Sequence, residues 1–234
     1  MTATATATAR PAPVADQERP RRRPVVTGVE VALGVAAVLV DRGIPTFVLL
    51  ALAGTSLLVR HEGLASLGFH RPAPTVRWFV AKMFAFAAAW SLFQLSVTMP
   101  LANHLSGHRQ DLSDFKDIQG NVGVLAGFLV LSWTLAAIGE ELAYRGFLQT
   151  RMRQLLGGGR AAVVVAVIAS SLLFGLVHSE QGAVGVAIVT LDAIAWSIVR
   201  LRYRSLWASV LVHGFNNTIG FVAFFLVGPI YGLW

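Results

Sequence analysis

The 234-residue chain is 55% hydrophobic and only 13% charged, with mean hydropathy +0.64, whereas a soluble domain carries about 25% charged residues. It has no cysteine, which excludes disulfides, thiol chemistry and cysteine-ligated zinc. The formal charge of +7 resides in arginines at the ends of apolar runs, not in a stripe on a soluble fold. Anionic lipid is therefore the expected partner, and nucleic acid is not.

Residues 1–24 join an Ala-Thr repeat to prolines and to Arg19, Arg21, Arg22 and Arg23. Such a stretch buries too little apolar surface to offset ordering, so it is expected to be a disordered basic tail. A signal peptide with 25–40 as its apolar region is the rival reading. It is disfavoured because a second apolar run follows at once without a clear small-residue cleavage site.

From residue 25 to 234 the sequence reads as one membrane domain. Its apolar runs lie at about 25–40, 44–59, 76–101, 121–143, 161–178, 183–199 and 206–228. Blocks of this kind predict an all-α, polytopic transmembrane bundle of about seven spanning helices. Asp41-Arg42-Gly43-Ile44-Pro45 is a natural turn between the first two. Arginines gather in alternate connections: Arg60, Arg71 and Arg77, then Arg145, Arg151, Arg153 and Arg160, then Arg200, Arg202 and Arg204. The other connections are poor in arginine, and 102–120 holds one Arg, one Lys and three Asp. This asymmetry predicts a cytoplasmic N-terminus and a C-terminus on the opposite side. The composition and simple tail suggest a bacterial plasma membrane.

Two adjacent carboxylates, Glu140 and Glu141, end the fourth run. Ionisable groups inside apolar segments are costly and usually functional. On a helix Glu141 and Arg145 stand at i, i+4 and can pair, a structural role that competes with a functional one. Glu140 points elsewhere and has no cation at i±4, since Ala136 and Tyr144 occupy those positions. Folding the chain about Gly157–Gly159 into an antiparallel hairpin sets residue 140 opposite about residue 176, next to His178. The stretch between Arg145 and Gly159 would then project from the bilayer as an amphipathic extension. His213 and Asn217 are again i, i+4 and share one face of the last run, while Asn216 is expected to point away. Interhelical hydrogen bonding is the competing role for that pair. Asp192, inside the sixth run, is a candidate partner for His213 or a structural group.

Other polar clusters carry less. His104, His108, Asp111, Asp114 and Asp117 read as a solvated loop without metal-ligand spacing. His61-Glu62 does not begin a zincin helix, because position 65 is Ala65. His178-Ser179-Glu180 lacks the cysteines of a zinc deaminase. A transporter would use intramembrane carboxylates too, but inverted repeats are not evident.

Three motifs in order resemble a known family: Glu140-Glu141-x-x-x-Arg145, Phe174-x-x-x-His178 and His213-x-x-x-Asn217. The chain resembles the CPBP intramembrane proteases, which include type II CAAX prenyl proteases and the Abi and bacteriocin-processing or immunity proteins. The resemblance covers about residues 120–220. It implies a membrane endopeptidase whose site opens toward the cytoplasm and which acts on a membrane-associated peptide or protein. Glu140, His178, His213 and Asn217 would be its catalytic residues, with Glu141 and Arg145 supporting them or binding substrate. Two chemistries fit this inventory. In one, Glu140 and His178 activate water while His213 and Asn217 stabilise the oxyanion. In the other, Glu140, His178 and His213 ligate Zn²⁺. A non-catalytic scaffold or immunity-type protein is the alternative function.

Overall fold

A computed structural model describes residues 24–40, 44–70 and 75–234. The expected basic tail, except for Pro24, and the expected turn at residues 41–43 lie outside the described residues. Among the described residues the fold is all-helical and has no strand. Seven rods follow the seven apolar runs: α1 (Pro24–Val40), α2 (Pro45–Arg60), α3 (Val76–Ser106), α4 (Val122–Leu155), α5 (Arg160–Leu176), α6 (Gly182–Tyr203) and α7 (Leu206–Val227). The rods α3, α4, α6 and α7 are long and apolar enough to cross a membrane, by length and composition. The other three are apolar but span only 16 or 17 residues. Large apolar side chains face outward along the rods, including Phe84, Leu92, Val130, Ile168, Leu172 and Ile198. That is the surface a bilayer requires and water penalises.

Sequence chemistry sets the helix ends. Pro45 opens α2 where a missing N–H costs nothing. Asn121 caps α4, its side-chain oxygen accepting from the Val124 N–H at 3.1 Å. Gly157 and Gly158 take positive φ, +90° and +81°, to turn α4 back into α5.

Two rods depart from α geometry. In α3, Gln94–Thr98 is π-helical, just ahead of Pro100. Proline has no N–H, so the carbonyls of Leu95 and Ser96 lose their i+5 and i+4 donors there. The C-terminal segment supplies both: the Leu233 N–H donates to Leu95 O at 3.0 Å and Trp234 Nε1–H to Ser96 O at 2.7 Å. In α4, Ser132–Leu148 is π-helical and contains both glutamates and Arg145. Local π geometry often accompanies functional sites.

The expected extension beyond Arg145 does not project. Tyr144, Phe147, Leu148 and Arg151 are fully buried, and Met152 nearly so. Arg151 donates to Ser56 and Glu62 at 2.8 and 2.9 Å, and the latter bond is also an ion pair. The second half of α4 is thus core, sheathed by α1, α2 and α5. Only the last turn, from Arg153, reaches the surface.

The helices α5 and α6 approach closely at Gly175. A Cβ there would run into the Thr190 side chain and sit 2.7 Å from the Val186 carbonyl oxygen. Gly175→Ala must therefore push these packed helices apart. The expected cost is about 1–3 kcal/mol, read as a lowered midpoint in thermal unfolding of the detergent-solubilised protein. An unchanged midpoint would show that the helices separate freely.

Candidate active site

The site is assembled from α4, α5, α6 and α7 around Phe174. The Phe174 ring meets Tyr144 at 5.0 Å, His178 at 4.9 Å, Trp196 at 6.2 Å and His213 at 6.3 Å between centroids. The Arg145 guanidinium lies 4.2 Å above the same ring and 5.3 Å from the Trp196 ring. Desolvated cation–π contacts of this kind contribute about 2 kcal/mol each.

Glu141 and Arg145 form the expected i, i+4 pair, Nη1 to Oε1 at 3.1 Å. Both are wholly buried, at 0% and 1% exposure, and neither lines the cavity beside them. The pair is thus walled off from the cavity and packed against the residues that line it. One of these is His213. Its Nδ1 lies 3.1 Å from Glu141 Oε1, and its ring stacks on Trp196 at 4.0 Å and 19°. An ionised carboxylate only accepts, so Nδ1 carries the proton and Nε2 is left for other work.

His178 is held in a similar way. Its Nδ1 lies 2.9 Å from the Phe174 carbonyl oxygen. A carbonyl also only accepts, so Nδ1–H donates and Nε2 of the neutral ring keeps its lone pair.

Glu140, His178, His213 and Asn217 all line one cavity of about 480 Å³. Glu140 is half-buried and takes part in none of the ion pairs formed among the described residues. The four residues that the motifs single out are therefore brought to one space. One expectation needs correction, and one open choice is narrowed. Asn216 does not point away: it lines the same cavity and accepts from Ser91 Oγ at 2.8 Å. Asp192 also lines the cavity, but its hydrogen bonds come from Trp90 Nε1 and Gln94 Nε2, both at 2.6 Å, and not from His213.

The zinc reading meets a geometric obstacle. Among the described residues no three His, Asp or Glu side chains stand close enough together to hold a metal ion. Glu140, His178 and His213 share a cavity without forming a cage, so the donor set does not fit the ion.

Sequence reasoning missed the contribution of α3. Gln94, Ser91 and Trp90 lie in an apolar run that showed no motif, yet they fix Asp192 and Asn216. A lone amide in that run was the available signal. Trp196, the stacking partner of His213, gave none, since tryptophan is an ordinary residue in an apolar helix.

Comparison with known proteins adds one match. Residues 122–219 match the family model described as type II CAAX prenyl endopeptidase Rce1-like. No curated protein and no solved structure matched the chain. The matched stretch holds all three motifs and all of α5 and α6. Over residues 122–219, this chain is similar to the type II CAAX prenyl endopeptidases.

Proposed function

We propose that the chain hydrolyses a peptide bond within a membrane-associated protein or peptide, using a water activated by Glu140. The observation that supports this most is the state of the two carboxylates. Glu141 is spent on Arg145 and His213. Glu140 faces the cavity without a cation among the described residues. A carboxylate so placed is available to take a proton from water.

His178 lines the same cavity, and its Nε2 lone pair can accept or relay that proton. Attack on the scissile carbonyl creates a tetrahedral oxyanion, which needs donors placed in advance. The Asn217 amide is one. His213 Nε2 is the other when its ring is doubly protonated, with Nδ1–H already committed to Glu141. On collapse, the proton held by Glu140 and His178 passes to the leaving amine, so the catalytic groups return to their starting state. No step is routed through a metal. The tail at 1–24, a cytoplasmic N-terminus and a bacterial plasma membrane complete the proposal.

Glu140→Gln and Glu141→Gln separate chemistry from architecture. Glu140→Gln should lower cleavage of a quenched peptide library at least ~10²-fold with an unchanged melting temperature. Glu141→Gln strands Arg145 in the core, so it should lower stability by about 3–5 kcal/mol. If Glu140→Gln cleaves like the parent, the glutamate is not the base. Asn217→Ala should reduce kcat by about 10²–10³ with little change in KM, as expected for a donor engaged in the transition state.

The metal-free scheme predicts that cleavage survives exhaustive treatment with a chelator. Activity lost to the chelator and restored by added zinc would overturn the scheme.

A further inference from the structure

Among the described residues the cavity is open at one end, and the charge pattern says which side of the membrane that end faces. From Glu140 and His213 the lining runs along Ser91, Gln94 and Met99 of α3 and Asn217 to Phe224 of α7. It ends on Gln110, Phe115, Glu180 and Ile230, which lie in the connections after α3, α5 and α7. Toward the other end it is closed. Tyr144, Phe147 and Leu148 are wholly buried beneath it. The segment 63–70 is fastened across the base: Leu206 N–H donates to Gly68 O at 2.7 Å, Ser205 Oγ to His70 O at 3.0 Å and Arg200 Nη2 to Leu67 O at 3.3 Å.

The two ends differ sharply in charge. At the closed end Arg77, Arg153, Arg160, Arg202 and Arg204 are exposed. Its acids are consumed internally, Glu30 by Arg60 and Glu62 by Arg151. In the sequence Arg19, Arg21, Arg22 and Arg23 come just before Pro24. A separate hollow of about 440 Å³ lies there, lined by Arg153, Arg200, Arg204 and His70 and, among the described residues, by no carboxylate. That chemistry suits the anionic headgroups of a cytoplasmic leaflet. At the open end the exposed charges are Asp111, Asp114, Asp117 and Glu180 against Arg109 and Lys116. Exposed arginine is retained on the cytoplasmic side.

From these two observations we infer that the cavity opens on the non-cytoplasmic face and takes an apolar peptide segment from that side. The direction is opposite to the cytoplasmic opening that the family resemblance implies. The apolar character follows from the approach, where Phe115, Phe128 and Phe221 meet one another at 5.3 to 5.6 Å and all line the cavity. Such a wall accommodates aliphatic and aromatic side chains. The nature of the occupant rests on the peptidase reading; the direction of opening does not.

The chain has no cysteine, so single-cysteine labelling needs no prior engineering. Asp114→Cys and Glu180→Cys report the open end. Gly159→Cys, in open space with an ordinary backbone conformation, reports the closed end. None of these residues belongs to the proposed machinery. In intact cells a membrane-impermeant maleimide should modify Cys at 114 and 180, and modify Cys at 159 only after permeabilisation. An alkaline phosphatase fused after Trp234 should be active in the unaltered chain, because the terminal segment is tied to α3 at the open end. Labelling of 159 but not of 114 and 180 in intact cells, with an inactive fusion, would overturn the inference. So would equal labelling of all three. Neither result touches the peptidase reading, which the Glu140→Gln comparison tests separately.

Discussion

The structure depends on one buried cluster of charge. Glu141, Arg145 and His213 meet where water is excluded, with Phe174 and Trp196 packed on the guanidinium and the imidazole. Breaking a buried ion pair leaves an uncompensated charge, which is costly even where the pair itself adds little net stability. The cluster therefore specifies arrangement more than it supplies energy. It ties α4 to α7 across 72 residues of sequence and fixes which histidine nitrogen can reach the cavity. It also holds Glu141 away from the cavity, which Glu140 lines.

Around that cluster several polar groups of the bundle are paired. Asp192 is bound by Trp90 and Gln94, and Asn216 by Ser91. Gln149 donates to Ser197 and accepts from Arg200. In a segment surrounded by lipid, each such pairing relieves a group that water would otherwise solvate. Glu140 stands outside every ion pair of the described residues and lines one cavity with the Asn217 amide and two oriented imidazoles.

The departures from regular helix serve the same site. The π-wound stretch of α4 carries the two glutamates and Arg145. The π-wound turn of α3, ahead of Pro100, releases two carbonyls that hold the C-terminal segment. That segment places Ile230 at the cavity wall. A proline in a long apolar helix thus shapes the wall of a cavity that Glu140, His178 and His213 line from other helices.

Much of this could be read from residues in order. Apolar run length reports a bilayer-crossing or bilayer-lying helix, so the seven runs anticipated the seven rods among the described residues. An acid, imidazole or amide stands out in such a run because hydrocarbon penalises it, so Glu140, His178, His213 and Asn217 were visible. The Glu141–Arg145 pair was visible because i, i+4 spacing is local. What stayed hidden depends on how each helix is rotated and how deeply it is set. The bond from Glu141 to His213, the stack of Trp196 and the capture of Asp192 by α3 all follow from those two variables. So does the burial of Tyr144 to Met152 where a projecting extension was expected. Rotation and depth are fixed by close approaches such as Gly175 against Val186 and Thr190, and by π turns that shift facing residues away from α spacing. Such terms act between segments distant in sequence, and no local pattern encodes them.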